Sequence, residues 1–582
     1  MRRESPRGIL ALAYNRHAAV QIRRRLAALL GEDARGITVL TCHALAMRLT
    51  GASFVGRAAG MEEGAFNAVL QEAAALLKGA DLPPDEAGDQ RERLLAGFRW
   101  ILVDEYQDIG PEQYELISVL AGRMLQEEDR KLGLFAVGDD DQNIYAFGGA
   151  SVELIRRFAE DYAAKPVYLT GNYRSTAHII TMANLVITPA VCRMKAEHPL
   201  TIDKARHKAP AGGAWEKLDP VGQGRVQILP AGRDPVTQAL AVMTELQRLA
   251  ACDPGWDWAG AAVIAREWKY LEPVRSFCEL HRIPVQMADE EHVRVWRLRE
   301  TQALVAWLHG RESKLIRADE VSAWLADQAG SPWWDLLREG VEEYGVETRG
   351  AELPADHFVE WLAEWGREVR RRQKGLLLLT AHRAKGLELR HVAVLDGGWE
   401  RIGSGEDRDA PRRLYYVAVT RAKETLVLSR FDSGNMLLDS LPDSPALLRR
   451  APAELPAPPP ELNRLYRRLT LEEVDIGFAG RSWQGHPVHA AISALAPGDP
   501  LQVRMENGRG LLFDPKGNLV GRLARAYTPL ANMRLLTARV AAVMVWERKD
   551  TSPEYMDGVR CERWEVVVPE LVLERIPAEG RA

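Results

Sequence analysis

Asp104 and Glu105 stand at the end of an apolar run, Ile101-Leu102-Val103, and are followed by Tyr106-Gln107-Asp108. A run rich in branched residues reads as a strand buried in a parallel sheet, and open α/β sheets bind ligands at the carboxyl ends of their strands. Two adjacent carboxylates there form a Walker B arrangement. Asp104 is placed to hold Mg²⁺ on a nucleotide's phosphates, and Glu105 to orient and deprotonate an attacking water. The plainer alternative is a strand ending in solvated acids before a turn, which Gly110 and Pro111 would supply in any case.

A second apolar run, Leu134-Phe135-Ala136-Val137, leads into Gly138-Asp139-Asp140-Asp141-Gln142-Asn143-Ile144-Tyr145-Ala146-Phe147. A glycine, several carboxylates and a glutamine at a strand end can reach a phosphate and the first site together. With both stretches in view, Asp-Glu-Tyr-Gln-Asp followed by Gly-Asp-x-Asp-Gln-x-Ile-Tyr is similar to motifs II and III of the UvrD/Rep-type superfamily-one DNA helicases.

The elements that must position these residues follow from the rest of the chain. Gly8 to Ala13 reads as a strand, and Tyr14-Asn15-Arg16-His17 leads into a helix with Ala18, Ile22, Leu26 and Leu29 on one face. This is similar to motif Ia, which implies that Tyr14 stacks on a base of single-stranded DNA, although a tyrosine buried at a strand end fits the same residues. Ile37 to His43 matches motif Ib, which implies DNA-backbone contacts from Thr41 and His43. Phe66, Val69, Leu70, Ala73 and Leu77 share a helix face within a helical insertion at about 50–97.

Val167 to Thr176 matches motif IV, in which a strand brings Arg174 toward the nucleotide. Leu376 to Glu388 matches motif V. The resemblance implies that His382 and Lys385 face DNA phosphates and that Glu388, with Gly386 beside it, binds the nucleotide. Arg412 to Lys423 matches motif VI and makes Arg421 the arginine finger, a role suited to a planar and always-charged guanidinium. The implied catalytic set is Glu105, Gln142, Arg174 and Arg421. Asp104 is the Mg²⁺ ligand, and Tyr145 and Phe147 join Tyr14 on the DNA track. ATP and Mg²⁺ are the implied cofactors, and single-stranded and tailed duplex DNA the implied partners.

The fold expected is α/β: two RecA-like parallel-sheet lobes with helical insertions, plus a small, mostly-β C-terminal domain. Residues 1–165 form the first lobe, 166–290 and 374–438 the second, and 291–373 a short, tryptophan-rich helical insertion of the 2B type. There Phe358, Trp361, Leu362, Trp365 and Val369 recur at helical spacing, so these rings read as core. The prolines of 439–465 read as a stiff linker. Beyond it, 466–582 alternates in the manner of a β-barrel or sandwich, with a turn at Asp514-Pro515-Lys516-Gly517-Asn518. The resemblance covers about residues 8 to 435.

Composition narrows the class. With 582 residues, 46% hydrophobic, the chain has ample core for several domains. A net charge of -5 gives no overall nucleic-acid signal, so binding must come from local runs such as Arg23-Arg24-Arg25 and Arg370-Arg371-Arg372. The five cysteines, Cys42, Cys192, Cys252, Cys278 and Cys561, have no metal-site spacing. No apolar run is long enough for a membrane span and no leader is evident, so the location expected is cytoplasmic.

Two departures from the family pattern stand out. Phe147-Gly148-Gly149-Ala150 replaces the usual Trp-Arg-Gly-Ala, and no G-x-x-x-x-G-K-[ST] occurs in the chain. The thirteen residues ahead of Tyr14 leave no room for that loop and its helix. The expectation is therefore a motor segment completed by a P-loop-bearing N-terminal portion or by a fused or partner helicase module. The alternative is a catalytically inactive DNA-binding or scaffolding protein. Retention of Glu105, Gln142, Arg174, Glu388 and Arg421 together favours the first.

Overall fold

The computed structural model describes residues 5–51, 63–79, 82–95, 97–146, 149–191, 193–288, 294–366 and 374–576. Two compact units emerge: Met1–Ala52 with Glu63–Ala288 and Gln373–Leu462, and Ser53–Glu62 with Asp289–Arg372 and Asn463–Ala582.

The first unit holds both parallel sheets. The first lobe has strands β1 (Ile9–Ala13), β2 (Thr38–Thr41), β3 (Trp100–Val103) and β4 (Gly133–Ala136) in the order β2-β1-β3-β4. All neighbours are parallel. Helix α1 (Arg16–Leu30) starts where the Asn15 side chain accepts the Ala18 amide at 2.8 Å. Its Ala18, Ile22 and Leu26 pack on Ala11 and Ala13 of β1, whereas Leu29 is exposed. Helix α2 (Cys42–Thr50) follows β2, and α3 (Glu63–Lys78) and α4 (Pro84–Leu94) make the expected helical insertion, with Val69, Leu70, Ala73 and Leu77 buried. Helix α5 (Pro111–Ala121) connects β3 to β4.

Register shows what this lobe leaves uncovered. Ala11 is paired with Leu102 and Leu102 with Phe135, so all three share one face. Over β1 that face is covered by α1; over β3 and β4 it is bare, with Trp100 42%, Leu102 36% and Phe135 58% exposed. The indole of Trp100 lies flat over Gly133, where an added Cβ would meet the ring at 2.4 Å. On the opposite face Ile101 and Val103 are buried. Parallel sheets are ordinarily covered on both faces, so this strip is the exception.

The second lobe is a seven-stranded, all-parallel sheet built from β5 (Val226–Pro230), β6 (Ala261–Ala265), β7 (Val285–Met287), β8 (Leu376–Thr380), β9 (Leu389–Val394), β10 (Ala422–Arg430) and β11 (Leu447–Arg449). Their order is β11-β5-β10-β9-β6-β8-β7. The continuous Leu, Val, Ile and Ala runs of β6, β8 and β9 are what burial on both faces demands. β11 corrects the reading of 439–465 as linker alone: Leu447–Arg449 pairs with Val226–Ile228, and Leu441, Ala446 and Leu462 are buried. The strand that motif IV implies ahead of Arg174 is short: Gly171–Asn172 pairs with Thr201–Ile202, while Val167 and Leu169 face solvent.

The second unit joins what the sequence suggested were separate domains. Its sheet runs β12-β17-β16-β13-β14-β15, where β12 is Arg464–Arg468, β13 Pro500–Glu506, β14 Arg509–Phe513, β15 Leu519–Arg522, β16 Met533–Glu547 and β17 Arg563–Arg575. Trp333, Tyr344, Phe358, Trp361 and Trp365 of the helical segment share one core with Ala542, Met544 and Val568 of the long strands. Arg297 seals the junction, stacking 3.9 Å from the Trp546 ring centroid and bonding Asp550 at 2.9 Å. Val369 and Arg370-Arg371-Arg372 lie outside the described residues. Among the described residues no helix is long and apolar enough to cross a membrane.

Candidate nucleotide and nucleic-acid site

The site lies at the carboxyl ends of β3 and β4, against the second lobe. β3 delivers Asp104, whose amide donates to the Leu12 carbonyl at 2.9 Å. Burial, and then the neighbouring Glu105, push the Asp104 carboxyl above the usual range. Glu105 adopts a left-handed backbone, φ 51° and ψ 45°, an uncommon state for a residue with a Cβ and one that clusters at functional positions. Its carboxylate accepts from the Gln107 amide.

Gln107 ties this turn to the next. Its side-chain oxygen accepts the Asp139 amide at 2.9 Å, and its backbone carbonyl accepts from Asn143 at 2.5 Å. Gln142 is in turn held by Asp139 at 2.8 Å. The three aspartates, which lie close enough to suggest a cation site, are matched by the second lobe instead. Arg193 makes a bidentate pair with Asp141 at 2.8 and 2.6 Å, the Met194 amide donates to Asp140 at 2.8 Å, and Lys195 meets Asp139 at 2.5 Å. Against the upward push of burial, Lys195 holds the Asp139 carboxyl below its ordinary range.

From the second lobe, the helix Ala410–Val419 and strand β10 bracket Arg421, which is 2% exposed. Its guanidinium donates to the Val417 carbonyl at 2.9 Å, to Thr420 Oγ1 at 2.9 Å and to Gln142 Oε1 at 3.3 Å. Burial, then Arg174, lower it to about 10, so it stays charged at neutral pH. Arg174 donates to the Thr420 carbonyl at 2.9 Å and reaches Glu388 at 3.4 Å; Lys423 meets the other oxygen of Glu388 at 3.3 Å. Despite burial, these cations keep Glu388 below the usual carboxylate range. Gly386 has φ +80°, a left-handed turn that costs glycine nothing. Next to Arg174, the Tyr173 ring is 77% exposed, a flat apolar surface that the motif reading passed over.

The residues expected on a DNA track divide. Tyr14 and Tyr145 stack with ring centroids 5.6 Å apart and planes at 19°. Phe147 lies outside the described residues. Thr41 is buried and uses its hydroxyl to cap α2, accepting the Ala44 amide at 3.1 Å. Burial lowers His43, and lowers His382 to about 4. Lys385 departs furthest from the expectation of a phosphate contact. Its side chain is 7% exposed and turned into the first lobe, where it pairs with the fully buried Asp108, donates to the Gln142 carbonyl at 2.7 Å and lies 3.7 Å from Glu105. Of the basic runs, Arg23 spends its guanidinium on the Val39 carbonyl at 2.6 Å.

The donor set fits a magnesium nucleotide in part. Asp104 offers the single carboxylate oxygen that Mg²⁺ commonly takes from protein, and Arg174 and Arg421 suit phosphate charge. The sequence holds no G-x-x-x-x-G-K-[ST] run, whose loop amides would cradle the β- and γ-phosphates.

Residues 62–163 match the UvrD/REP helicase N-terminal domain and residues 375–429 the UvrD-like helicase C-terminal domain. The chain is 30% identical over 356 residues to the ATP-dependent DNA helicase UvrD2 of Mycobacterium bovis, covering 57% of this chain and 47% of that protein. It is 44% identical over 96 residues to DNA helicase II of Haemophilus influenzae, covering 16% and 12%. It is 46% identical over 91 residues to the ATP-dependent DNA helicase UvrD1 of Mycobacterium bovis, again covering 16% and 12%. The chain thus spans less than half the length of each of these relatives.

Proposed function

We propose, for a chain that belongs to the UvrD/Rep-type superfamily-one helicases, the work of an ATP-dependent motor that moves 3′ to 5′ on single-stranded DNA and opens duplexes in DNA repair or recombination. The observation that carries this reading is the meeting of Arg421 with Gln142 between two parallel sheets, where Lys385 reaches both the Gln142 carbonyl and Glu105. A bound Mg-nucleotide would supply the phosphoanhydride to be cleaved. Glu105 is then the group that takes a proton from water, Gln142 senses the reacting phosphate, and Arg174 and Arg421 face its charge. Tyr14, Tyr145 and Phe147 provide stacking surfaces for successive bases, with His43 and His382 along the same track.

Turnover in this account needs a phosphate cradle, which we assign to a strand–loop–helix unit, joined to the chain or brought by a partner module. The bare strip of Trp100, Leu102 and Phe135 favours this assignment. A strand added beside β4 and crossing over to β1 in the right-handed sense carries its helix over the α1 side of the sheet, which is the uncovered one, and sets its loop beside Asp104. The competing reading is a DNA-binding scaffold without turnover, which the absence of G-x-x-x-x-G-K-[ST] from the 582 residues favours. Both readings place DNA on the track. Fluorescence anisotropy with a labelled oligothymidine and with a blunt duplex tests that shared step: preference for the single strand is expected, and equal or tighter duplex binding would contradict it.

A further inference from the structure

Lys385 is surrounded by groups that belong to two different tasks. On one side are the buried Asp108 carboxylate, the Gln142 carbonyl at 2.7 Å and Glu105 at 3.7 Å, all from the first lobe. On the other is the Tyr145 ring, whose centroid is 5.4 Å from the ammonium and which stacks on Tyr14. The Tyr145 hydroxyl also donates to the His382 carbonyl at 3.0 Å, three residues before Lys385 in the same second-lobe segment. An ammonium can be buried only where carboxylates and carbonyls replace its water, as Asp108 and the Gln142 carbonyl do here.

We propose that the Asp108–Lys385 pair is a positioning device that transmits occupancy of the aromatic track to the carboxylate Glu105, and that Lys385 touches no DNA phosphate. The inference rests on reading Tyr14 and Tyr145 as the DNA platform. A base entering between or upon these rings shifts Tyr145, and Tyr145 bears on both the ammonium and the backbone that carries it. The same ammonium is an electrostatic neighbour of Glu105, so its displacement alters the field at the water-activating group. Coupling between two sites requires a physical element that both of them bias, and this lysine is in contact with each.

The test uses the full chain as it is, without nucleotide. Lys385→Met, Asp108→Asn and the double variant are compared with the unaltered protein; the double variant guards against misfolding, because it leaves no uncompensated buried charge. A fifteen-nucleotide oligothymidine is titrated at several salt concentrations, and donor and acceptor dyes at Leu29→Cys and Met436→Cys, both exposed, report the distance between lobes. The expected result is an unchanged salt slope in every variant, a DNA-dependent change in energy transfer in the unaltered chain, and loss of that change in the double variant. A slope lower by about 1 in Lys385→Met would identify a phosphate contact and overturn the proposal. So would a DNA-dependent change that persists in the double variant, or its absence from an unaltered chain that binds DNA. If the unaltered chain binds no oligothymidine, the functional reading itself fails, which is a different and recognisable result.

Discussion

Arg421 of the second lobe meets Gln142 of the first at 3.3 Å, a contact between residues 279 positions apart in the chain. Each is independently anchored, Arg421 by the Val417 carbonyl and Gln142 by Asp139, so each side chain reaches the contact from a fixed place in its own lobe. A site built this way is preorganised for charge at the point where the two side chains meet.

The aromatic track predicts a loss of DNA affinity on truncation. Stacking contributes about 1–3 kcal/mol per base, so Tyr14→Ala and Phe147→Ala should each weaken oligothymidine binding by roughly tenfold or more. Anisotropy titrations measure this directly. Unchanged affinity in both variants would remove the track.

Thr41 separates a structural from a contact role. Its hydroxyl caps α2 and is buried, so Thr41→Ala should lower unfolding free energy by about 1 kcal/mol through the lost cap. Thr41→Ser keeps the oxygen and should restore most of the stability. A variant of native stability with weakened DNA binding would assign the hydroxyl to DNA instead.

How far the sequence could be read depended on whether a role was set locally. Trp100–Val103 followed by Asp104 and Glu105 is legible because the apolar run makes the strand and the acids can only lie beyond it. The direction of Lys385 was not legible: its four-carbon stem could turn either to solvent or inward, and its partner Asp108 is 277 residues away. Leu447–Arg449 was masked by surrounding prolines, although its edge position needs pairing on one side only. The 15-residue strand Met533–Glu547 is not legible as one element, because its alanines do not alternate with polar groups. That it shares a core with Trp361 and Trp365 could not follow from periodicity, which shows that a ring is buried and not what it is buried against.

Acid should destabilise the fold through two histidines. Burial lowers His382 and His391 to about 4, so between that value and the ordinary 6.5 the unfolded chain binds protons that the folded chain excludes. Stability from this source is complete above about pH 6.5 and falls as pH drops toward 4, by up to about 1.4 kcal/mol per pH unit for each histidine. His391, fully buried and 3.0 Å from Thr425 Oγ1, is the cleaner probe. Urea unfolding at pH 7 and pH 5 should show a smaller difference for His391→Gln than for the unaltered chain. An equal difference would contradict the assignment.

Polarity follows from the proposed motor. With a strand, phosphate loop and helix of the family type joined ahead of Gly8, strand displacement should favour duplexes with a 3′ tail. Preference for a 5′ tail would overturn the direction while leaving the motor in place.

On the proposed function, this chain carries the water-activating and charge-facing half of an ATP-hydrolysing site, without the G-x-x-x-x-G-K-[ST] loop. The most direct test is DNA-stimulated phosphate release by the unaltered chain, by the chain extended with that strand–loop–helix unit, and by the extended chain bearing Glu105→Gln. The account predicts little or no release from the first and robust release from the second. In the third, release should fall by orders of magnitude with nucleotide binding largely kept, because the base is lost and the cradle is not. Robust release by the unaltered chain, or none after extension, would contradict it.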